Sequence, residues 1–416
     1  MTRKLALGVV TTAMFAVAAS GTQPLAAGAN RDEHWVGTWS TALHAPAAGP
    51  PGLTNTGFDN QTLRQIVHTS VGGDRVRLRL STFGSNALEI GAAHIGLREA
   101  GAAVVPTSDR TLTFGGHMSV TIPPGAIVVS DAVDLDVPPL SDLAVSLYVP
   151  GKTGPATWHF MALQTSYVSP AGDFTESVAM PVESTTQAWF WVAGVDVTAS
   201  KQAGAIVVLG DSVTDGTKST PGANRRWPDR LAERLMMQPG NHKMGLLNAG
   251  LAGNRLLHDI IGPNGLARFD RDVLIQGAVT HVVVFLGNND IVFSQFFPAE
   301  AVSAEQIIQG HRVLIERART RGLRIYGATL TPLEGSGPAI LFPTIEAQRQ
   351  LVNQWIRTSG EYDAVIDFDE IARDPGVPTR LLPLFDSGDH LHPNDLGYAA
   401  MGDGIDLQLF KDGWRP

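Results

Sequence analysis

Four short stretches in the second half of the chain carry the residue types of a single acyl-transfer site. They are Gly210-Asp211-Ser212-Val213, Asn248-Ala249-Gly250-Leu251-Ala252-Gly253-Asn254, Gly287-Asn288-Asn289-Asp290 and Asp389-His390-Leu391-His392-Pro393. A serine hydroxyl becomes a nucleophile only when a base takes its proton. Of the 12 histidines, His392 suits that task best, because Asp389 stands three residues before it and Pro393 follows. A loop of this form can project both side chains from one turn, so that Asp389 holds one imidazole nitrogen and the other faces Ser212. An oxyanion formed on attack needs preorganised donors. The Ser212 N–H, the Gly253 N–H and the Asn289 side-chain amide are the candidates. Taken singly, a turn serine, a tight-turn glycine and an Asx-turn asparagine are the commoner explanations. Their placement after successive strands favours a site. The last stretch has two competing readings: a metal held by His390 and His392 with Asp386 and Asp389, or a hydrated loop.

These residues need a scaffold, and the chain supplies two kinds of pattern. From about His34 to Ser200 it reads as β structure. Arg75 to Ser81 alternates strictly, with Val76, Leu78 and Leu80 on one face and three arginines on the other, and Leu143 to Val149 has the same period. Turn signals at Gly72-Gly73-Asp74, Gly115-Gly116, Pro123-Pro124-Gly125 and Pro138-Pro139 separate such runs, with no amphipathic helix of normal length between them. An all-β sandwich or jelly-roll-like domain over 34–200 is expected. Beyond it, short uniformly apolar runs alternate with helical segments, as buried parallel strands do. The strands are placed at Ala205–Leu209, Met244–Asn248, His281–Leu286, Arg324–Thr329 and Ala364–Phe368, and the helices include Trp227–Met237, Ala304–Thr320 and Ile345–Ser359. A three-layer α/β domain over 201–416 follows. No Pro-, Ser- or Gly-rich linker separates the two, which implies close packing.

Length and composition narrow the field. A chain of 416 residues with 44% hydrophobic and 17% charged content can bury two cores. A formal charge of −9 and the absence of any Lys/Arg run argue against a nucleic-acid partner. With no cysteine, disulfides, thiolate metal sites and a cysteine nucleophile are excluded. Arg3, Lys4 and the apolar run Leu5 to Ala19 read as an export signal over residues 1–29, which implies a secreted or periplasmic product without a stable membrane anchor. Either Ala27-Gly28-Ala29 or Ala16-Val17-Ala18 supplies the small-x-small cleavage form.

The ordered Ser, Gly, Asn and His blocks, opened by Gly210-Asp211-Ser212, resemble those of the SGNH hydrolases, the GDSL lipase and esterase family. The likeness covers roughly Ala203 to Phe410. It implies a flavodoxin-like α/β/α sandwich, Ser212 as nucleophile, Ser212, Gly253 and Asn289 around the oxyanion, His392 with Asp389 completing the triad, and no cofactor. Asn254-Arg255 and Arg225-Arg226-Trp227 are similar to those of secreted bacterial members that carry an N-terminal β domain. The chain departs from the common pattern at Asn288, where many members have glycine, and at Val213, where Leu or Ile is usual. A serine esterase acting on short acyl or acetyl esters, small or carried on polysaccharide, is the first expectation. An acyltransferase using the same triad and a carbohydrate-binding protein on a degenerate scaffold are the alternatives. Trp189 and Trp191 read as core rather than as a sugar platform, and Arg75, Arg77 and Arg79 as a solvated strand face. Arg255 either orders the second block or meets substrate.

Overall fold

The computed structural model describes residues 33–46, 55–83, 86–240 and 243–411. The export-signal segment lies outside them. The first half is antiparallel. Its main strands are β1 (Trp35–Ser40), β2 (Gln61–His68), β3 (Gly73–Ser81), β4 (Ala92–Leu97), β5 (Asp142–Val149), β6 (Ser166–Ala171) and β7 (Val192–Thr198). One sheet runs β1-β7-β3 with Ile127–Val129 and Val133–Val137 against β3. The other runs β6-β2-β5-β4 between the edge strands Ser184–Thr186 and Arg110–Leu112. Val76, Leu78 and Leu80 from the first sheet and Leu143, Val145 and Leu147 from the second share one apolar core, as the period-two pattern requires.

After five connecting residues the chain turns parallel. Strands β8 (Gly204–Gly210), β9 (Met244–Gly250), β10 (Val279–Phe285), β11 (Arg324–Ala328) and β12 (Ala364–Ile366) lie in the order β9-β8-β10-β11-β12. Every residue of β8 is buried, because a central strand is covered on both faces. The helices are α1 (Ser212–Asp215), α2 (Trp227–Met237), α3 (Asn288–Phe296), α4 (Ala304–Thr320), α5 (Thr344–Thr358) and α6 (Asp395–Asp403). Helices α2 and α6 pack on each other, and α4 and α5 form a second group with α3. With right-handed crossovers, this strand order puts the two groups on opposite faces of the sheet. The result is the α/β/α arrangement of flavodoxin-like order.

The arginine row on β3 departs from expectation. Arg79 is buried, it meets Asp196 at 3.3 Å and it donates to Gln276 of the parallel half. Arg77 pairs with the same Asp196 at 3.0 Å and lies over the Trp35 ring. The alternation correctly separates the two faces of β3, and Arg75 and Arg77 stay partly exposed, but at Arg79 the second face is covered by the other half of the chain rather than by water. Trp189 and Trp191 are both buried. They do not share a regular strand face, because Trp191 has φ of +58° and interrupts the strand between Phe190 and Val192.

Contacts across the change of pattern make residues 33–416 one compact unit. Strand β9 is the edge of the parallel sheet, and β1 lies against it: Gly245 approaches the Gly37 carbonyl so closely that no side chain would fit. The Leu246 N–H donates to Ser70 Oγ at 2.8 Å, and the Gly37 N–H donates to the Gly277 carbonyl at 3.1 Å. An uncovered edge strand would invite pairing with other chains. A chain beginning at Gln202 is therefore expected to aggregate, or to melt well below the full-length protein. A soluble monomer with the full-length melting temperature, measured by calorimetry, would show that the cover is dispensable.

Candidate active site

Parallel register brings the sequence blocks together. Gly210 at the end of β8 is opposite Gly250 on β9 and Phe285 on β10, so the segments that follow all three strands emerge at one edge of the sheet. Ser212 opens α1 directly after β8. Asp211 caps that helix, its Oδ1 accepting from the Val213 N–H at 3.0 Å. Gly250 has no room for a side chain, because a β-carbon there would meet the Asp215 backbone. The first and second blocks are thus in backbone contact.

A buried guanidinium ties their strand ends. Arg268 donates through Nη2 to the Gly210 carbonyl at 2.8 Å, through Nη1 to the Ala249 carbonyl at 2.8 Å, and through Nε to Asn254 Oδ1 at 2.9 Å. Asp272 neutralises it at 3.0 Å. Cutting one member from such a buried pair typically costs about 3–5 kcal/mol.

The last block approaches from the loop before α6. The Asp389 Oδ1 accepts from the Leu391 N–H at 3.0 Å and the His392 N–H at 2.8 Å, an Asx-turn arrangement that aims both side chains the same way. Asp389 Oδ2 then lies 2.8 Å from His392 Nδ1, and His392 Nε2 lies 2.9 Å from Ser212 Oγ. Burial alone would raise the Asp389 carboxyl, but its hydrogen bonds from His392 outweigh that and hold it far below the usual carboxylate range. It stays ionised at any pH where the imidazole can act as a base. Asn394 pins the loop, donating to the carbonyls of Leu384 and Asp386 at 3.0 Å each while capping α6.

Asn289 sits in the first turn of α3 and spans the other blocks. Its Nδ2 donates to the Asn254 carbonyl at 3.1 Å and reaches Asp211 Oδ2 at 3.4 Å. The next residue, Asp290, accepts the Leu256 N–H at 2.6 Å and the Leu257 N–H at 2.9 Å, so α3 also holds the segment after Gly253. Gly253 adopts φ of +75° and lies against Ile261, where a β-carbon would clash.

His390 and His392 do not converge. His390 pairs with Asp386 while His392 pairs with Asp389 and Ser212. Among the described residues no group of three or more His, Cys, Asp or Glu is arranged to hold a metal. Arg255 is buried, donates to the carbonyls of His258 and Asp259 and pairs with Glu300 at 2.8 Å. Its side chain therefore orders the segment that follows the second block.

A family model, the GDSL-like lipase/acylhydrolase family, matches residues 208–400. The chain carries a GDSL-like hydrolase domain. All the proposed site residues fall within that GDSL-like match. Solved structures similar to it include a GDSL-like lipase from Bacteroides thetaiotaomicron, 17% identical over 50% of this chain and 87% of that one, with a TM-score of 0.39. An aryl esterase from Mycobacterium smegmatis is 16% identical over 50% of this chain and 98% of its own, at a TM-score of 0.40. A variant of an acetyl xylan esterase from Geobacillus stearothermophilus is 19% identical over 52% and 98%, at 0.39. No curated protein matches the chain.

The residues that the sequence did not single out are those that hold the blocks: Arg268, Asp290, Asp215 and His159. Asp290 lies inside the third block, yet nothing in its local spacing indicates that it accepts two N–H groups from the second. The His159–Asp215 contact, 2.9 Å long, joins residues 56 apart and has no local signal at all.

Asp211 gives a test by pH. Burial is the main cause that pushes its carboxyl up to about 6, although the Val213 N–H opposes it. An aspartate in the unfolded chain titrates near ~3.9, so over that interval the folded state binds more protons. Stability contributed by this group therefore falls as pH rises from about 4 to 6 and stays reduced above that. Asp211→Asn, which keeps the capping oxygen, is expected to gain up to about 3 kcal/mol over wild type at pH 8. Urea unfolding should show that gain vanish by pH 4; a gain that persists there would contradict the burial argument.

Proposed function

We propose that the protein is an exported serine esterase that cleaves short-chain acyl or acetyl esters, including those carried on carbohydrate, through an acyl-enzyme on Ser212. The observation that carries this reading is the unbroken chain of hydrogen bonds from Asp389 through His392 to Ser212. Export is supported by the pattern of residues 1–29. Among the described residues, no helix is long and apolar enough to cross a membrane.

The chemistry follows from the geometry. His392 Nε2 takes the Ser212 proton as Oγ attacks the ester carbonyl carbon, and the ionised Asp389 stabilises the imidazolium that results. Negative charge builds on the former carbonyl oxygen. The Ser212 and Gly253 N–H groups and the Asn289 amide are its proposed donors. Asn289 Nδ2 donates to the Asn254 carbonyl at 3.1 Å and contacts Asp211 Oδ2 at 3.4 Å, so the amide is held at the meeting point of the first and second blocks, and to meet the oxyanion it gives up the longer of the two contacts by rotating as a unit. The imidazolium then protonates the leaving alkoxide oxygen. Water, activated by the same imidazole, attacks the acyl-serine, and the carboxylic acid departs as Ser212 regains its proton.

Purified protein should hydrolyse p-nitrophenyl acetate at a rate unchanged by EDTA, and Ser212→Ala should lower kcat by at least about 10⁴-fold. Full turnover by Ser212→Ala would remove Ser212 as nucleophile. Asn289→Ala should lower kcat by roughly 10²-fold or more with a much smaller change in KM. A loss confined to KM would instead make Asn289 a ground-state contact. Assays over a series of acyl chain lengths, with acetylated polysaccharide alongside, test the substrate class.

A further inference from the structure

His159 lies on the short strand Trp158–His159 of the antiparallel half, yet its ring reaches the parallel half. Its Nδ1 is 2.7 Å from the Ala42 carbonyl oxygen and its Nε2 is 2.9 Å from Asp215 Oδ1. Both side chains are buried. A carbonyl and a carboxylate both accept, so each ring nitrogen is placed to donate, and an imidazole that donates twice is a cation.

Asp215 is where the first two blocks meet. It closes α1, whose first residue is Ser212, and its N–H donates to the Asp211 carbonyl at 2.9 Å. Its backbone carbonyl accepts from Arg226 Nε at 2.9 Å, and Gly250 packs directly on its backbone. Its second carboxylate oxygen, Oδ2, accepts the Ala252 N–H at 3.1 Å, immediately before Gly253. One carboxylate therefore connects a histidine of the antiparallel half to the backbone that presents a proposed oxyanion donor.

We propose that His159 is a positioning residue that the antiparallel half contributes to the active site: as a buried imidazolium donating from both ring nitrogens, it holds Asp215, and through Asp215 it sets the Ala252–Gly253 backbone. This inference rests on the serine-esterase reading.

The surroundings agree with that charge state. Burial by itself would lower the His159 pKa, but the Asp215 charge and the hydrogen bonds to Asp215 and Ala42 outweigh it, and the net shift is upward. The other charged neighbour is Arg226, which opposes the shift. The nearest titratable ring is His44, at 5.7 Å between centroids; burial first and the His159 charge next hold its pKa well below the usual value, so it stays neutral. Trp189 covers the remaining side. A histidine whose folded pKa is raised contributes stability that is complete below about 6.5 and is lost as pH climbs through the folded value. Order in the Ala252–Gly253 segment should be lost over the same alkaline range.

Two substitutions separate positioning from bulk. His159→Gln can meet only one of the two acceptors and carries no charge. Asp215→Asn keeps an oxygen for the Ala252 N–H and offers an N–H to a neutral His159 Nε2, so the connection survives without charge. We expect folded His159→Gln to lose about tenfold or more in kcat on p-nitrophenyl acetate, as small misplacements of catalytic groups do. Its KM should stay within about threefold. Asp215→Asn should keep kcat within about threefold at neutral pH and lack the wild-type decline on the alkaline side. In ¹⁵N-histidine-labelled wild type, one imidazole should keep both ring protons to a higher pH than an ordinary histidine does, and that signal should be missing from His159→Gln. Wild-type kcat in folded His159→Gln, or no doubly protonated imidazole in the wild-type spectrum, overturns the proposal. If His159→Gln does not fold, the wild-type spectrum and the pH profile of Asp215→Asn decide it. If the wild type hydrolyses no ester, the esterase reading fails, and the imidazolium signal together with the Ala252 amide shift in His159→Gln still decides the role of His159.

Discussion

The parallel register of β8 with its two neighbours is the constraint on which the rest depends. With Gly210 opposite both Gly250 and Phe285, three segments leave the sheet at the same edge, and their residues meet although the chain separates them widely. That register is enforced at the strand ends by side chains. Arg268 takes the carbonyls at the ends of β8 and β9, and the Gly210 carbonyl also accepts the Leu251 N–H at 3.2 Å. Asn289 and Asp290 then tie α3 to the second block.

The same economy explains why the antiparallel half is inseparable from the parallel one. The edge strand β9 needs a cover, and β1 with Ser70 provides it. Arg79, Asp196 and Gln276 meet at a second point of contact, and Arg226 donates from the parallel half to the Ala162 carbonyl. Each contact puts a polar or charged group into an apolar boundary, where it is tolerated only with a partner. Such groups add little net stability compared with apolar packing, but losing one partner is expensive. The boundary is therefore specific as well as tight.

Much of this was legible in the chain. Strand β8 and helices α2 and α4 lie where uniform apolarity or helical spacing put them, because each is governed by local periodicity. The four blocks named the site residues because acyl transfer demands particular atoms: a hydroxyl, an imidazole with its carboxylate, and unobstructed N–H donors. Where the reading went astray, the cause was a neighbour distant in sequence. The arginines of β3 form one face, as the alternation indicates, but alternation cannot say whether that face meets water or Gln276 and Asp196. Trp191 is apolar and buried as expected, yet its positive φ breaks the strand that would have aligned it with Trp189.

By itself the sequence determined which atoms are available for chemistry and which segments bury themselves on one face or two, since both follow from residue type and spacing. Only the tertiary structure decided which of those atoms meet. The distance between His392 and Ser212, the junction of two blocks at Asp215 and the reach of His159 into the other half all depend on strand order and register. Those are set by packing and hydrogen bonding summed over the whole core, and no short stretch of residues contains that sum.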